Sequence, residues 1–130
     1  MKNLILLFSL FFFGCHYHTD KLKVYNNSKK DIYYLPMLKD RNSGNYYALS
    51  VGGNIKAMEQ DSPKLRGSIS DYMKQKDFDN LLYVVFFMEK YFKYAPEDGK
   101  KIVFDKRFKV QKYSLKELDS LNWTITYDGN

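Results

Sequence analysis

Residues 81–88, LLYVVFFM, are the longest uninterrupted run of large apolar residues after the N-terminal segment. A strand with one solvent-exposed face alternates apolar and polar residues, and this run does not alternate. Burial on both faces is typical of a central strand in a sheet. We therefore expect residues 81–88 to form the central strand of the fold.

Alternating segments before and after this run are interpreted as further strands. Residues 22–25 and 32–35 flank the turn-rich residues 26–30, which predicts an antiparallel hairpin. Residues 46–51 are a third strand, with Tyr47, Leu49 and Val51 on one face, ending at Gly52 and Gly53. Residues 54–58 are interpreted as a return strand, residues 60–67 as a loop, and residues 122–127 as the last strand.

Two segments carry helix signals. Residues 68–78 place apolar side chains at three- and four-residue spacing, and Ser68 or Ser70 can cap that helix. Ser114 and Glu117 have the spacing of a capping box, which predicts a helix of about two turns ending near Leu121.

Residues 95–107 allow two interpretations. Pro96 and Gly99 suit a tight turn that leads into a strand with Ile102, Phe104, Phe108 and Val110 on one face. A helix with Pro96 at its first position is the alternative, and Gly99 argues against it.

The chain has 130 residues, of which 45% are hydrophobic, and this length and composition suit one folded domain. About seven short strands separated by turns predict a mainly β fold, an antiparallel β-sandwich with one or two short helices. An α+β arrangement is the alternative. We expect residues 21–130 to form the domain, with Trp123 in its core rather than at a binding surface.

The N-terminal residues predict export and lipid anchoring. Residues 4–13 are apolar apart from Ser9, and a helix of that length covers about 15 Å, half the hydrocarbon thickness of a bilayer. Residues 1–14 therefore have the form of a signal peptide. Gly14 and Cys15 follow directly, and the pair is similar to a lipobox, in which the cysteine thiol is lipidated, as with palmitate, and cleavage between the two residues then makes the cysteine the new N-terminus. Residues 15–20 are then a lipidated tether.

The segment YSLKELDSLNWTITY at residues 113–127, together with VYNNS at 24–28, DIYY at 31–34 and the lipobox-like start, resembles small lipoproteins of Bacteroidetes-type bacteria. Those lipoproteins have no assigned activity. The resemblance implies lipidation at Cys15 and a location in the cell envelope. It implies no catalytic residue.

The sequence favours a protein without catalysis. Both histidines, His16 and His18, lie in the predicted tether, where nothing fixes a nucleophile and its base. Asp77 and Asp79 have the spacing of paired carboxylates, but such pairs usually border a loop. We expect no metal site and no cofactor.

Charge is concentrated in two segments. The chain carries 21 basic against 15 acidic residues. Residues 21–30 contain four lysines and no acidic residue, and residues 100–112 contain six cations against Asp105. If the fold brings these segments together, they form a basic surface patch. Its candidate residues are Lys21, Lys23, Lys29, Lys30, Lys100, Lys101, Lys106, Arg107, Lys109 and Lys112.

These observations together predict a lipid-anchored protein of the bacterial cell envelope, on the outer membrane, that binds a partner without catalysis. An anionic glycolipid, an anionic polysaccharide or an envelope protein suits a basic patch in that compartment, and nucleic acid does not. The alternative is an immunity- or inhibitor-type lipoprotein that neutralises an exported toxin or enzyme. Lysines on solvent-exposed strand edges also discourage aggregation, which is a purely structural reason for the same charges.

Overall fold

The computed structural model describes residues 17–129, which form a mainly β fold of sandwich-like antiparallel sheets, as predicted. Within these residues, ten strands make three sheets, where about seven strands are expected from the sequence. The count differs because several strands have only two or three residues. The strands are β1 (His18–Thr19), β2 (Lys23–Asn26), β3 (Ile32–Lys39), β4 (Tyr46–Ala48), β5 (Gly53–Ile55), β6 (Gln60–Asp61), β7 (Lys64–Leu65), β8 (Leu81–Phe87), β9 (Phe108–Ser114) and β10 (Thr124–Tyr127). The helices are α1 (Ile69–Met73), a 3₁₀-helix (Glu89–Tyr94) and α2 (Leu115–Ser120).

The central position predicted for residues 81–88 is confirmed by β8. The large sheet has the order β4–β3–β8–β9, and β5 pairs with the other half of β3. All of these pairs are antiparallel. Six of the seven residues of β8 are buried, because the strand has a neighbour on each side and a layer on each face.

β3 runs four residues beyond its predicted end and passes through Pro36. Pro36 lies between the part of β3 that pairs with β5 and the part that pairs with β4. Its carbonyl accepts a hydrogen bond from the Leu49 N–H at 2.9 Å. Proline is tolerated there because its missing N–H falls in the gap between two short edge strands.

Successive residues of β3 and β8 contribute to two separate cores. On what we call the closed face, β3 and β8 pack against α1, α2 and the small sheets. On the aromatic face, the same strands pack against the segment between β8 and β9. The closed face contains Ile32, Tyr34, Leu38, Leu82, Val84 and Phe86, and the aromatic face contains Tyr33, Leu35, Met37, Tyr83, Val85 and Phe87.

The predicted hairpin between residues 22–25 and 32–35 is wrong. β2 lies in a different sheet, of order β10–β2–β6, and pairs in parallel with β10 through Val24 and Ile125. The turn-rich residues after β2 lead the chain from one sheet to the other. Both Val24 and Ile125 are buried in the closed-face core, which favours this long-range pairing over the local one.

The aromatic face is covered by the 3₁₀-helix and by irregular chain. The turn at Gly99, with φ of 75°, is confirmed, but the predicted strand starts only at Phe108. Gly99 N–H donates to the Tyr46 carbonyl at 2.7 Å, and Tyr46 N–H donates to the Lys100 carbonyl at 2.8 Å. These bonds hold the segment against β4, so it does not extend β9 alongside β8. Ile102, Phe104, Phe108 and Val110 do pack in one cluster, as the spacing predicts.

The other predicted strands have different bounds. β4 ends at Ala48, and Val51 is 99% exposed rather than sharing a face with Tyr47 and Leu49. The chain leaves the ladder there because Pro36 offers no N–H opposite it. β5 replaces the return strand of residues 54–58, and the predicted loop of residues 60–67 contains β6 and β7 on either side of Pro63.

Both helix caps follow the sequence. The Ser68 side chain accepts from the Asp71 N–H, and α1 ends at Met73, earlier than predicted. Ser114 and Glu117 form the complete capping box of α2. Trp123 follows α2 and is 5% exposed, so the prediction of a core tryptophan is confirmed. Its indole N–H donates to Asp119 at 2.8 Å.

The folded part of the chain begins before residue 21. β1 pairs with β7 through His18 and Leu65. Asp20 is buried, and its carboxylate accepts from the backbone N–H of Leu22 at 3.0 Å and of Ile69 at 3.1 Å. Residues 18–20 therefore belong to the domain, whereas the sequence predicts a place for them in the tether of residues 15–20.

Candidate functional site, a basic groove

The loops that carry the two basic segments lie at the same end of the large sheet. β3 begins where β8 ends, since Tyr33 pairs with Phe87, and β9 begins there too, since Phe87 pairs with Phe108. The loop before β3 and the loop before β9 are therefore neighbours. This arrangement follows from the antiparallel order β3–β8–β9, and it brings part of each basic segment together.

Two adjoining depressions occupy this end of the sheet. They have volumes of about 430 and 400 Å³ and share the walls Ile32, Met88, Tyr127 and Gly129. We call their combined surface the basic groove, because its five basic residues are Lys29, Lys30, Lys106, Arg107 and Lys109.

Asn26, at the end of β2, fixes the loop that carries Lys29 and Lys30. The Asn26 side chain is fully buried. Its amide donates to the carbonyls of Lys30 at 2.8 Å and Ile55 at 3.0 Å, and its oxygen accepts from the Ser28 N–H at 3.0 Å and hydroxyl at 2.6 Å. One side chain thus closes the turn and ties it to β5.

Tyr127 forms the floor of the groove between the two depressions. Its ring stacks on Phe86 of the closed face with centroids 4.9 Å apart. The Lys109 ammonium lies 5.5 Å from the centroid of the same ring. Burial raises the pKa of the Tyr127 hydroxyl, so it stays protonated and can donate a hydrogen bond to a ligand.

Arg107 is partly neutralised by a neighbour. Its guanidinium forms a bidentate pair with Asp105, at 2.6 Å between Nη2 and Oδ2 and 3.0 Å from Nε. This hydrogen bonding lowers the pKa of the Asp105 carboxyl. The guanidinium also lies 4.2 Å from the centroid of the Tyr94 ring, so Arg107 connects the loop before β9 to the 3₁₀-helix.

The remaining charges of the groove are unevenly balanced. Asp31 and Asp128 line it, and their carboxylates accept from the Ala57 N–H and the Asn27 amide respectively. Within residues 17–129, none of the four lysines of the groove forms an ion pair. These four lysines, against two lining carboxylates, leave the groove positively charged and are available to an anionic ligand, whereas Arg107 is already paired with Asp105.

The other predicted patch residues lie elsewhere. The Lys21 ammonium covers the Trp123 ring at 4.1 Å, and Lys100 pairs with Glu97 at 2.7 Å. Lys112 is paired with Tyr83 in the ladder, so it points to the aromatic face, whereas Lys109 is paired with Phe86 and points to the closed face. Lys23 lies beside Thr124, and Lys101 lines a separate depression with Lys39 and Arg41. Five of the ten predicted residues therefore converge.

The paired carboxylates of the sequence do not face each other across a cleft. Asp79 accepts hydrogen bonds from the Leu81 N–H and the Tyr83 hydroxyl. Burial of Tyr83, and then the bond to Asp79, raises the pKa of this hydroxyl and keeps it protonated. Asp77 is exposed. Among residues 17–129, no cluster of three His, Cys, Asp or Glu side chains has the geometry of a metal site.

Three residues that shape the groove are absent from the candidates predicted by the sequence. Asn26 belongs to a run that was interpreted as a hairpin turn, and its buried side chain shows only in the structure. Met88 lies between β8 and the 3₁₀-helix and Tyr127 ends β10, so their role depends on the meeting of β8, β9 and β10. The Asn-x-Ser spacing of residues 26 and 28 was the one local hint, since asparagine often bonds two residues ahead.

The predicted lipid site lies outside the described residues, as do Gly14, His16 and the signal segment of residues 1–14. Within the described chain, no helix has the length and apolar character needed to span a membrane. A comparison with protein-family models, curated proteins and solved structures found no match for this chain.

Proposed function

We propose that this protein is a bacterial envelope lipoprotein, anchored through Cys15, whose domain binds an anionic ligand in the basic groove without catalysis. The observation that carries the proposal is the convergence of Lys29 and Lys30 with Lys106, Arg107 and Lys109 on one groove. Export through the N-terminal segment makes a phosphate- or carboxylate-bearing envelope glycolipid or polysaccharide the ligand class that fits both compartment and charge.

The lining of the groove suits a phosphorylated sugar in its chemistry. Tyr127 presents an aromatic ring and a hydroxyl beside the ammonium of Lys109, and Met88 adds an apolar wall. The protonated Tyr127 hydroxyl can donate to a sugar or phosphate oxygen, while flexible lysines reach phosphates as point charges. Binding by these groups needs no reacting side chain.

The binding test uses the full chain in detergent micelles and fluorescent lipopolysaccharide as the probe. A lysine near an anionic surface contributes about 1 kcal/mol, so a Lys29→Ala, Lys30→Ala, Lys109→Ala variant is expected to bind about 100-fold more weakly. The matched control is Lys21→Ala, Lys101→Ala, Lys112→Ala, which removes the same charge outside the groove and is expected to bind nearly as the unmodified chain.

Competition separates the two sources of the anion. Free polyphosphate and dephosphorylated lipopolysaccharide are added in separate arms. Competition by polyphosphate alone supports phosphate recognition, and competition by neither locates recognition in the intact glycolipid. Equal weakening of both triple variants, or no binding by the unmodified chain, would overturn the proposal.

Anchoring is tested separately with Cys15→Ala. We expect loss of metabolic labelling with a palmitate analogue and release of the chain from the membrane fraction, because two or more acyl chains are needed for durable attachment. Unchanged labelling and fractionation would show that Cys15 is not the anchor.

A further inference from the structure

A second groove lies on the aromatic face of the large sheet, on the other side of the 3₁₀-helix from the basic groove. It has a volume of about 760 Å³, and its floor is formed by Tyr33, Leu35 and Phe87. Phe92 turns toward this groove, whereas its neighbour Tyr91 lines the basic groove. We call it the apolar groove.

The rim of the apolar groove exposes large apolar side chains. Val51 is 99% exposed, Tyr17 63% and Phe92 58%, and all three line this one groove. Phe92 is held in place by Tyr33, with ring centroids 5.2 Å apart. Single exposed apolar residues are ordinary, but a contiguous group around a groove marks a surface that contacts another apolar phase.

The chain enters the domain at this rim. Tyr17 lies two residues after Cys15, and two extended residues span at most about 7 Å. The following residues are fixed by the β1–β7 pairing and by the buried Asp20 carboxylate. A lipid on Cys15 would therefore hold the apolar groove within a short distance of the bilayer surface.

The residues around the entry point have the chemistry of a membrane interface. The Arg66 guanidinium lies 5.0 Å from the centroid of the Tyr17 ring, and Lys64 lines the groove beside it. Tyrosine is enriched at the headgroup level of bilayers, and long basic side chains there extend toward phosphates. Asp98 is the acid on the rim, and its carboxylate is engaged by the Ala48 N–H at 2.7 Å.

From this placement we infer that the rim of the apolar groove is a membrane-contact surface: Tyr17, Val51 and Phe92 enter the interfacial layer of the phospholipid bilayer that carries the Cys15 anchor. The domain is then held in one orientation against the bilayer instead of moving freely on a tether. The inference rests on the proposed anchoring at Cys15. It also places the basic groove, across the 3₁₀-helix, near the headgroups.

The test uses the lipidated full chain reconstituted in phospholipid vesicles. A fluorophore that reports polarity is attached at Val51→Cys or Phe92→Cys, with Leu121→Cys as the control. Leu121 is 44% exposed and follows α2 on the side of the closed face. Because the native Cys15 is acylated, each variant has a single reactive thiol.

We expect quenchers carried at the lipid interface to quench residues 51 and 92 several-fold more than residue 121. Equal quenching at all three positions, in chains that float with the vesicles, would overturn the inference while leaving the anchor intact. Failure to float would instead overturn the anchor. If the fluorophores at residues 51 and 92 become shielded from water in detergent as the protein concentration rises, the rim contacts a second copy of the chain. That result would also contradict the inference.

Discussion

The two faces of the large sheet share β3 and β8 but are covered by different kinds of structure. The closed face is covered by helices and further strands, and its residues Tyr34, Val84 and Phe86 are almost completely buried. The aromatic face is covered by a 3₁₀-helix and irregular chain, which leave the apolar groove open and Phe92 exposed. The comparison predicts that the closed face contributes more to stability, while the loosely covered side and its adjoining sheet end carry the two grooves.

The largest expected effect is the loss of a closed-face side chain. Phe86 is 1% exposed, so Phe86→Ala is expected to lower the free energy of unfolding by about 3–5 kcal/mol. Phe104→Ala on the half-buried cover of the aromatic face is the matched change and is expected to cost about 1–2 kcal/mol. Urea unfolding of both variants measures the difference, and equal losses would remove the distinction between the faces.

The second effect concerns the segment that rims the apolar groove. A Cβ on Gly52 would lie 2.0 Å from the Tyr34 carbonyl oxygen, and Gly52 has φ of 72°. Gly52→Ala combines backbone strain with overpacking, so we expect a loss of about 3 kcal/mol in unfolding free energy. Gly44→Ala is the control, because Gly44 has φ of 74° but its Cβ would meet nothing closer than 4.0 Å. A Gly52→Ala loss no larger than the Gly44→Ala loss would show that the clash is relieved.

The third effect is the loss of Asn26, a buried side chain that fixes the loop of Lys29 and Lys30 in the basic groove. Asn26→Ala removes the amide that donates to the Lys30 and Ile55 carbonyls, at an expected cost of about 2 kcal/mol. Amide exchange at Ser28 should accelerate, since its N–H loses the Asn26 acceptor. Asn27→Ala, at an exposed position, is expected to stay within about 0.5 kcal/mol of the unmodified chain. Unchanged exchange at Ser28 would contradict a positioning role for Asn26.

The smallest effect is a pH dependence shared by both faces. Tyr34 donates to Asp61 at 2.6 Å on the closed face, and Tyr83 donates to Asp79 on the aromatic face. Burial, and then the neighbouring aspartate, raises the pKa of each hydroxyl above its ordinary value of 10.0. Above pH 10 the unfolded chain releases protons that the folded chain keeps, so stability is present below that pH and falls as pH rises.

A Tyr34→Phe, Tyr83→Phe variant should therefore lose less stability than the unmodified chain between pH 8 and pH 11, a range about the ordinary tyrosine pKa. Urea unfolding at both pH values gives the comparison. An identical decline in the two chains would assign the pH dependence to other groups.

The parts of the fold that sequence predicts best are those fixed by local chemistry or by burial on both faces. The apolar run of β8 and the Ser114–Glu117 capping box are of this kind. The pairing of β2 with β10 is not predictable in this way, because it joins residues about one hundred positions apart and the sequence of neither strand indicates which strand it pairs with. The predicted hairpin of β2 with β3 is wrong because turn-rich residues occur both in hairpins and in connections between two sheets.

The candidate site was predictable only in part for the same reason. The density of charge along the sequence predicts the two basic segments. The alternating direction of side chains along β9 determines that Lys109, and not Lys112, faces the groove. Tyr127 reaches the groove because three strands meet there, and Asn26 supports it through a buried side chain. No local sequence pattern indicates either of these features.

The most direct test of the basic groove is to map its ligand contacts by amide chemical shifts of the full chain in micelles, titrated with short-chain polyphosphate. The expected changes are confined to residues 28–31, 106–109 and 127–129, and they weaken as salt is added. Changes centred on Lys21, Lys101 or Lys112, or spread evenly over all exposed lysines, would contradict the convergence of the two basic segments on one binding groove.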